Sequence, residues 1–282
     1  GAGEMLRRCV ASVAAGGGAD MVVVVDNSGT DFDDEAHGPD IDCVMRVENL
    51  GFGAAANAGF RKVIERFGPD CAMALLNDDV TVTPGWLGPL TSAIASDEHI
   101  GGVQPKMLVA DTEPRLVNSL GVKIDGAGAG SDIGYLEPDG PAWSTAGPIK
   151  IFTGGAVLLR ATFIEDLDGF DERYFLYYED VDLALRGRER GWTFWCAPAS
   201  VVHHVGGASV ASLGDDVRRL QDRNRLWTAF RFGSMRGIYA AVWLSIRRLR
   251  HHPRRAHRRA LAAGLRGAPR RLLERWRAAR RL

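Results

Sequence analysis

The sequence is poor in cysteine and has no long apolar run. Four cysteines occur among its 282 residues, and no two of them form a CxxC pair; they are Cys9, Cys43, Cys71 and Cys196. This spacing excludes a disulfide framework and a zinc site, and it is typical of small core side chains in a reducing compartment. The longest apolar stretch near the end, residues 237–246, is far shorter than the ~20 residues that a membrane-spanning helix needs.

Lysine is also scarce, and the charges are unevenly divided. Residues 215–282 contain 20 arginines, no lysine and four acidic residues, which gives this segment a net charge of +16. The rest of the chain carries −16, so the whole is formally neutral. An acidic body with a basic tail predicts an anionic partner for the tail. With 46% apolar and 25% charged residues, the composition is that of a globular protein and excludes a wholly disordered or collagen-like chain.

The apolar pattern predicts alternating helices and strands. The expected order is a helix with Leu6, Val10 and Val13 on one face, strands at 21–25 and 41–47, a helix at 54–67, a strand at 71–76, a helix at 86–96 and a strand at 102–109. A segment rich in Gly, Pro and Asp follows at 111–149, and then come a strand at 151–160, a helix at 180–190, a strand at 193–203 and basic helices from 215 onwards. Such alternation is typical of an α/β layered fold.

Acidic residues follow two of the predicted buried strands. Asp26 ends the first valine-rich strand, and Asn77, Asp78 and Asp79 follow the strand at 71–76. Open α/β sheets bind ligands at the carboxyl ends of their strands, and adjacent carboxylates suit a hard divalent cation such as Mg²⁺. The alternative for both stretches is a turn built from turn-forming residues, with no ligand.

Glycines lie between the second strand and the following helix. Residues 49–57, NLGFGAAAN, contain a GxG sequence that would let a phosphate approach the helix N-terminus. The next glycine, Gly59, is out of step with a dinucleotide-binding fingerprint. The alternative is a glycine-rich turn that does no more than start the helix.

Two further stretches carry candidate catalytic or metal-binding groups. Residues 170–183, FDERYFLYYEDVDL, place acids among aromatic side chains, and apolar surroundings raise a carboxylate pKa towards that of a general base. The alternative is that Asp180 only caps the next helix. His203 and His204 follow an apolar strand and offer either a metal ligand or two ordinary core or rim residues. Adjacent strand residues point to opposite faces, so at most one of them faces a given site.

Taken in order, six segments resemble the motifs of glycosyltransferase family 2, and in particular its bacterial rhamnosyltransferase-like and galactofuranosyltransferase-like branch. The segments are VVVVDNSGTD, NLGFGAAANAGF, LLNDDV, FTGGAVLLR, GFDERYFLYYEDVDLALR and VVHHVGG. The resemblance covers about residues 4–232. It implies a GT-A nucleotide-sugar-binding fold, with a mostly parallel mixed sheet flanked by helices, and an inverting transfer of a sugar.

The resemblance also implies a role for individual residues. Asp180 matches the catalytic base, and Asp79 and His204 match the ligands of Mg²⁺ or Mn²⁺. The donor contacts fall on Asp26, Asn49, Gly53, Asn57, Asn77 and Asp78, and the sugar and acceptor pocket on Gly154, Gly155 and Glu179. Asn224 and Arg225 match an Arg-Asn-Arg element beyond the catalytic core.

The partners implied by the resemblance are a nucleoside-diphosphate sugar, with dTDP-rhamnose or a UDP-sugar such as UDP-galactofuranose favoured, and an acceptor hydroxyl on a cell-surface glycan or a lipid-linked molecule. The tail adds an anionic membrane surface, because Arg247, Arg248 and Arg250 lie beside Trp243 and Ile246. A solvated basic helix or a disordered tail is the alternative. No nucleic acid is expected, because no folded reader motif is present and the body is acidic. The expected location is cytoplasmic, on the inner face of a bacterial plasma membrane.

We expect a catalytic domain at residues 1–214, with a nucleotide-binding half at about 1–110 and an acceptor half at about 111–214, and a basic helical extension at 215–282. Relatives open with a buried strand before the first helix, and this chain begins just after the place where that strand ends, so the first strand is expected to be missing. The alternative function is then a catalytically impaired nucleotide-sugar-binding fragment. A nucleotidyltransferase or a Rossmann-type dehydrogenase is a third possibility.

Overall fold

The structure is a computed structural model that describes residues 2–29, 40–206, 215–251 and 255–280. Gly207, the second glycine after the histidine pair, and Arg254 of the basic tail lie outside these ranges.

Helices and strands alternate through most of the described chain. The first half contains α1 (Ala2–Gly16), β1 (Val23–Asp26), β2 (Cys43–Arg46), α2 (Phe52–Phe67), β3 (Ala72–Leu76), β4 (Val80–Val82), α3 (Leu87–Ala95), β5 (Ile100–Val109), β6 (Val117–Ser119), β7 (Val122–Ile124) and β8 (Gly130–Asp132). The second half contains β9 (Gly147–Ile149), β10 (Ala156–Arg160), α4 (Ala161–Leu167), α5 (Glu179–Glu189), β11 (Thr193–His204), α6 (Asp215–Phe232), α7 (Met235–His251) and α8 (Arg255–Ala279). Short 3₁₀ helices occur at Pro141–Trp143 and Glu172–Tyr174.

Most predicted elements agree with the structure to within a few residues, but the prediction lacks β4 and α4, and the strand predicted at 151–160 begins only at Ala156. Residues 111–149, where no pattern is visible in the sequence, contain the strands β6, β7, β8 and β9. Each of these strands is three residues long. Three residues are too few for an alternation of apolar and polar positions to stand out, so the sequence could not reveal them.

The sheet is mixed, as predicted. Its seven strands include the order β3-β10-β5-β11-β4, with β6 paired to β5 and β9 paired to β11. Within it β5 and β11 are parallel, and the other strand pairs are antiparallel. The parallel share is therefore smaller than expected, because β10, β4, β6 and β9 all run against the neighbours to which they bond.

The strands β1 and β2 form a separate parallel pair. In the described part of the chain this pair is not hydrogen-bonded to the seven-stranded sheet. Helix α2 follows β2 and packs on β1, where Gly59 would place a Cβ 3.1 Å from Val25 Cγ2. The pair therefore depends on side-chain packing against α2.

Apolar cores lie on both faces of the large sheet. On one face α2, α4 and α5 cover an aromatic cluster in which the rings of Phe152, Phe163 and Phe194 meet edge to face with centroids 5.0–6.4 Å apart. On the other face α1 and α3 cover a second cluster that includes Trp86 and Leu90. Burial of large apolar side chains on both faces is the main stabilising term of such a layered fold.

The basic helical extension packs against the body. Leu226, Ala229 and Phe230 of α6 form a core with α7 and α8, and Gly264 of α8 lies so close to Leu226 that an added Cβ would be 2.5 Å from its Cδ1. Arg225 is fully buried and donates to the carbonyl oxygens of Ala127 and Ala241. The arginines of the extension thus serve the interior of the fold as well as its surface.

Replacement of Gly187 in α5 by alanine tests the packing of the aromatic cluster. The added Cβ would lie 2.6 Å from Phe163 Cε2, and Phe163 is fully buried. We expect Gly187→Ala to lower the free energy of unfolding by about 1–3 kcal/mol. In Gly88→Ala, the control in α3, the new Cβ meets no heavy atom within 4 Å, and we expect no loss and a gain of up to ~1 kcal/mol. Equal melting temperatures for the two variants would contradict this packing.

Candidate active site

Asp79 and His204 meet at one end of the large sheet. Asp79 ends the turn between β3 and β4, and its carbonyl oxygen accepts a hydrogen bond of 3.1 Å from the N–H of Val205, just after β11. This bond joins the ends of two strands that are not neighbours in the chain. It brings Nε2 of His204 to 3.2 Å from Oδ1 of Asp79.

The Asp79 carboxylate is buried and incompletely satisfied. Its Oδ1 atom has no hydrogen-bond partner, although the His204 ring lies beside it. Burial raises the pKa of Asp79, but His204 and nearby backbone N–H groups outweigh burial and lower the pKa below its ordinary value. An ionised, buried oxygen with no donor is unusual, because such atoms are costly without a partner.

These two side chains fit a divalent cation. A carboxylate oxygen and an imidazole nitrogen are both ligands of Mn²⁺, and the lone pair on Asp79 Oδ1 is not used by the protein. In the described ranges no group of three or more His, Cys, Asp or Glu side chains could hold a metal ion.

Asp180 lies at the first turn of α5, opposite the Gly154–Gly155 pair. Its Oδ2 accepts a hydrogen bond of 2.9 Å from the N–H of Gly154, and its Oδ1 accepts one of 2.7 Å from the N–H of Val181. A Cβ at position 154 would lie 3.2 Å from the ring of Phe52 and 3.6 Å from Asp180 Cβ. The glycine therefore lets the chain pass close to the ring of Phe52.

Glu179, which is buried, and Asp180, which is half-buried, form an adjacent pair of carboxyl groups. Burial raises the pKa of Asp180, and the two backbone N–H groups oppose this rise. Burial and the charge of Asp180 raise the pKa of Glu179, whose Oε2 has no hydrogen-bond partner. Because Asp180 accepts two N–H bonds and Glu179 Oε2 accepts none, we assign the proton to Glu179 and the charge to Asp180.

Asn77 and Gly155 connect the two halves of the site. The N–H of Asn77 donates to the carbonyl oxygen of Gly155 over 3.0 Å, beside the pairing of β3 with β10. Asp78 is half-buried in the same turn. The structure thus brings together Asn77, Asp78, Asp79, Gly154, Gly155, Glu179, Asp180 and His204.

The backbone just before α5 has an uncommon conformation. Phe175, Tyr177 and Tyr178 all have φ between 67° and 70°. The N–H of Phe52 donates to the carbonyl oxygen of Phe175 over 2.7 Å, and a Cβ at Gly51 would lie 2.2 Å from that oxygen. Gly51 must therefore be glycine for the start of α2 to hold this segment.

Helix α6 holds the same segment from the other side. The buried amide nitrogen of Asn224 lies 3.0, 2.9 and 2.6 Å from the carbonyl oxygens of Tyr174, Leu176 and Tyr177. Arg223 donates to the carbonyl oxygen of Tyr174 over 2.6 Å. Asn224, which the sequence analysis places beyond the catalytic core, is thus a direct support of the chain that leads into Asp180.

Asp26, Asn49, Gly53 and Asn57, predicted to bind the donor, also contact protein groups. Asp26 Oδ1 accepts from the N–H of Ser28 over 2.9 Å, and Asn49 Oδ1 accepts from the N–H of Gly51 over 3.3 Å. Asn57 is buried; its Nδ2 donates to the carbonyl oxygen of Phe170, and its Oδ1 accepts from the N–H of the same residue. A Cβ at Gly53 would lie 3.0 Å from Phe170 Cβ. In the described chain, Asn57 and Gly53 therefore join α2 to the segment before Asp180.

The structure adds two residues that the sequence analysis missed. Asn118, in β6, places its Oδ1 3.1 Å from Nδ1 of His204. Asp132, at the end of β8, has its pKa raised by burial, and its charge acts on both Asp180 and His204. Both lie in the segment where the strands are too short to be recognised, and the glycine-rich sequence around Asp132 gives no sign of its surroundings.

The chain is similar to known glycosyltransferases. Residues 1–222 match the model of a family described as glycosyltransferase like family 2. The chain is 29% identical to an N-acetylglucosaminyl-diphospho-decaprenol L-rhamnosyltransferase of Mycobacterium tuberculosis. The alignment extends over 205 residues and covers 65% of this chain and 66% of that protein. The chain thus spans just under two thirds of this relative. It is also 31% identical to the O-antigen biosynthesis protein RfbC of Myxococcus xanthus over 46% of this chain and 10% of RfbC.

Two solved structures share the fold. GalNAc-T7, determined with UDP, GalNAc and Mn²⁺, superimposes with a TM-score of 0.59 at 15% identity, covering 80% of this chain and 44% of that one. The mannosyltransferase PcManGT of Pyrobaculum calidifontis, in complex with GDP-Man and Mn²⁺, superimposes with a TM-score of 0.57 at 18% identity, covering 95% of this chain and 72% of that one. The likeness shows that the chain has the GT-A fold.

The raised pKa of Glu179 predicts that the stability of the folded protein depends on pH. In the unfolded chain Glu179 ionises with a pKa near 4.5, whereas the folded protein raises this pKa. The folded state therefore keeps a proton that the unfolded state loses, and its stability falls as the pH rises above 4.5. We expect Glu179→Gln to melt higher than the wild type at pH 7 and to melt alike at pH 4. A difference in melting temperature that does not change with pH would contradict the assigned proton.

Proposed function

The chain belongs to glycosyltransferase family 2, and on that basis we propose that it is an inverting transferase that moves a sugar from a nucleoside diphosphate to a hydroxyl group. The observation that carries the proposal is the geometry of Asp180, whose carboxylate is held by two backbone N–H groups beside Gly154. This carboxylate is charged, and the two N–H groups fix its orientation. The hydrogen bond between Asn77 and Gly155 links the glycine pair beside it to the turn that contains Asp79.

Asp180 is the proposed general base. It accepts the proton of the acceptor hydroxyl while that oxygen forms a bond to the anomeric carbon and the bond from this carbon to the diphosphate breaks. A single displacement of this kind inverts the anomeric centre and needs no covalent enzyme intermediate. The raised pKa of Asp180, caused by burial, makes the carboxylate a stronger base than one in water.

Asp79 and His204 are the proposed ligands of Mg²⁺ or Mn²⁺. A divalent cation bound there would neutralise charge on the leaving diphosphate. The free lone pair of the buried Asp79 supports this role. The presence of Mn²⁺ in both solved structures with the same fold is consistent with it.

The proposed donor is dTDP-rhamnose or a UDP-sugar. The mycobacterial rhamnosyltransferase supports rhamnose, and we assign Asp26, Asn49 and Asp78 to the donor side of the site. A cavity of about 480 Å³ opens beside Asp79, and its charged lining includes Arg8 and Arg115, which suit phosphate, together with the acids Asp111 and Glu113. The proposed acceptor is a glycan or a lipid-linked sugar, since that relative is named for a decaprenol-linked one.

Helix α7 supports a membrane-surface location on the cytoplasmic side. Tyr239 and Trp243 are 71% and 49% exposed on one face of α7, and the exposed arginines on that face include Arg236, Arg247 and Arg250. Aromatic and basic side chains on one face are typical of helices that lie in the plane of an anionic bilayer. Within the described residues no helix is long and apolar enough to span a membrane.

Donor binding and transfer are tested together. The melting temperature is measured with dTDP, UDP, GDP or NAD, each with and without Mn²⁺, and sugar transfer is then assayed with the donors of the stabilising nucleotide. Binding at about a hundred times the dissociation constant adds about 2.7 kcal/mol. We expect a Mn²⁺-dependent rise with dTDP or UDP and none with NAD.

Asp180→Asn separates binding from chemistry. Loss of a general base costs about 10²–10⁴ in rate, so we expect transfer to fall by that factor while the stabilisation by nucleotide remains. Asp70→Asn, which removes an exposed carboxylate before β3, serves as the control and keeps full activity. Undiminished transfer by Asp180→Asn would refute the base assignment. Stabilisation without transfer in the wild type would favour the impaired nucleotide-sugar-binding fragment.

Membrane binding has its own test. Co-sedimentation is measured with vesicles of phosphatidylcholine alone and with added phosphatidylglycerol. We expect binding to the anionic vesicles only, with a several-fold loss in the double variant Tyr239→Ser, Trp243→Ser and weaker binding at high salt. Tyr135→Ser removes an aromatic side chain of similar exposure from the body and leaves binding unchanged. Equal binding by the double variant would exclude α7 as the contact.

A further inference from the structure

Three successive backbone N–H groups in the turn before β10 are bound by side chains. The N–H of Thr153 donates to Oε1 of Gln104 over 2.8 Å. The next N–H, that of Gly154, donates to Oδ2 of Asp180 over 2.9 Å. The N–H of Gly155 lies 3.5 Å from Oγ1 of Thr153. These N–H groups therefore take their partners from side chains and not from a neighbouring strand.

Gln104 is held in the interior of the sheet. It lies in β5 opposite Cys196 of β11 and is fully buried. Because a backbone N–H can only donate, the bond from Thr153 fixes which end of the Gln104 amide is the oxygen. The Nε2 end then donates to Oγ of the buried Ser119 over 3.2 Å. Both ends of the amide are thus bound, and the oxygen that receives the Thr153 N–H has a fixed position.

The support of Gln104 continues into β6. Ser119 pairs with Met107 of β5, and its Oγ lies 3.2 Å from both the nitrogen and the carbonyl oxygen of Gly121. A Cβ at Gly155 would lie 3.1 Å from Cε of the buried Met107. Strand β5 thus contacts the turn before β10 twice, through a hydrogen bond and through packing.

The bond from Thr153 bears on Asp180 through the neighbouring residue. Because peptide units are planar, a rotation of the backbone at Thr153 also moves the N–H of Gly154. Without the Gln104 oxygen, the N–H of Thr153 would lose its partner, and the turn would shift to find another. Asp180 would then keep only the N–H of Val181, which lies in its own helix.

We propose that Gln104 is a positioning residue for the proposed general base: its amide oxygen holds the turn before β10 so that the N–H of Gly154 meets the carboxylate of Asp180. The effect on transfer rests on the proposed function, whereas the bond of the Gly154 N–H can be measured without substrate. A displacement of about 1 Å at a reacting group costs up to ~10²-fold in rate.

The first experiment observes the N–H of Gly154 directly. The full chain is labelled with ¹⁵N-glycine and studied by NMR without donor or metal, and Gly154→Ala identifies one signal among the 34 glycines by its loss. The reference is Asp180→Asn, in which a neutral amide replaces the carboxylate. We expect Gln104→Leu, which has no hydrogen-bonding group, to move the signal towards its position in Asp180→Asn. Gln104→Glu keeps an acceptor oxygen and retains the wild-type signal.

A control separates this bond from general stability. Val103→Ala shortens a fully buried side chain on the other face of β5, so it melts lower and keeps the Gly154 signal. If melting curves show that Gln104→Leu does not fold, Gln104→Asn replaces it, because the shorter side chain withdraws the oxygen without adding volume. An unchanged Gly154 signal in the folded variant would overturn the proposal.

The second experiment measures the release of nucleoside diphosphate from dTDP-rhamnose or UDP-galactofuranose, chosen by the nucleotide that stabilises the chain. We expect kcat to fall about 10–100-fold in Gln104→Leu, with KM for the donor within a few-fold of the wild type and kcat recovered in Gln104→Glu. Equal losses of kcat in Gln104→Leu and Val103→Ala would contradict a positioning role. The expected glycine signals with no release by the wild type would leave the support of the turn intact and refute the proposed function.

Discussion

The site depends on the left-handed backbone between Phe175 and Tyr178. Non-glycine residues in this conformation cost about 1–2 kcal/mol each, and three of them occur here within four positions. The surrounding groups offset this cost: the N–H of Phe52 binds one carbonyl oxygen, and Asn224 approaches three others. The result is a sharp entry into α5 that points the carboxylate of Asp180 at Gly154.

A second constraint is electrostatic. Asp79, Asp132, Glu179 and Asp180 are drawn together at one end of the sheet by strand pairing and by the turn before α5. Carboxylates at such density cannot all be ionised in a buried site without a compensating positive charge. Glu179 holds a proton, His204 lies against Asp79, and a divalent cation bound there would add positive charge beside the remaining carboxylates.

Much of the fold follows from local sequence patterns, and so do the residues at the strand ends. Asp79 lies in the turn after β3, His204 ends β11, and Asp180 lies in the first turn of a helix with acids at its start and arginines at its end, so their positions could be predicted. Asn118 and Asp132 could not, because strands of three residues leave no periodic signal and take their register from partners far along the chain. The partners of Asn57 were equally hidden, since Phe170 lies 113 residues away and the contact depends on how α2 packs.

The contacts of the arginine-rich helix α8 form late in synthesis, because its partners lie much earlier in the chain. Arg271 of α8 donates a hydrogen bond to Asp171 over 2.7 Å, and its guanidinium lies over the ring of Tyr174. Asp171 lies 100 residues before Arg271 in the chain. Asp171 in turn caps the 3₁₀ helix that precedes the left-handed segment. In a chain emerging from the ribosome, the residues of the sheet and of the motifs are synthesised before residue 271. The contacts of Arg271 with the segment before Asp180 therefore form only after α8 has been made.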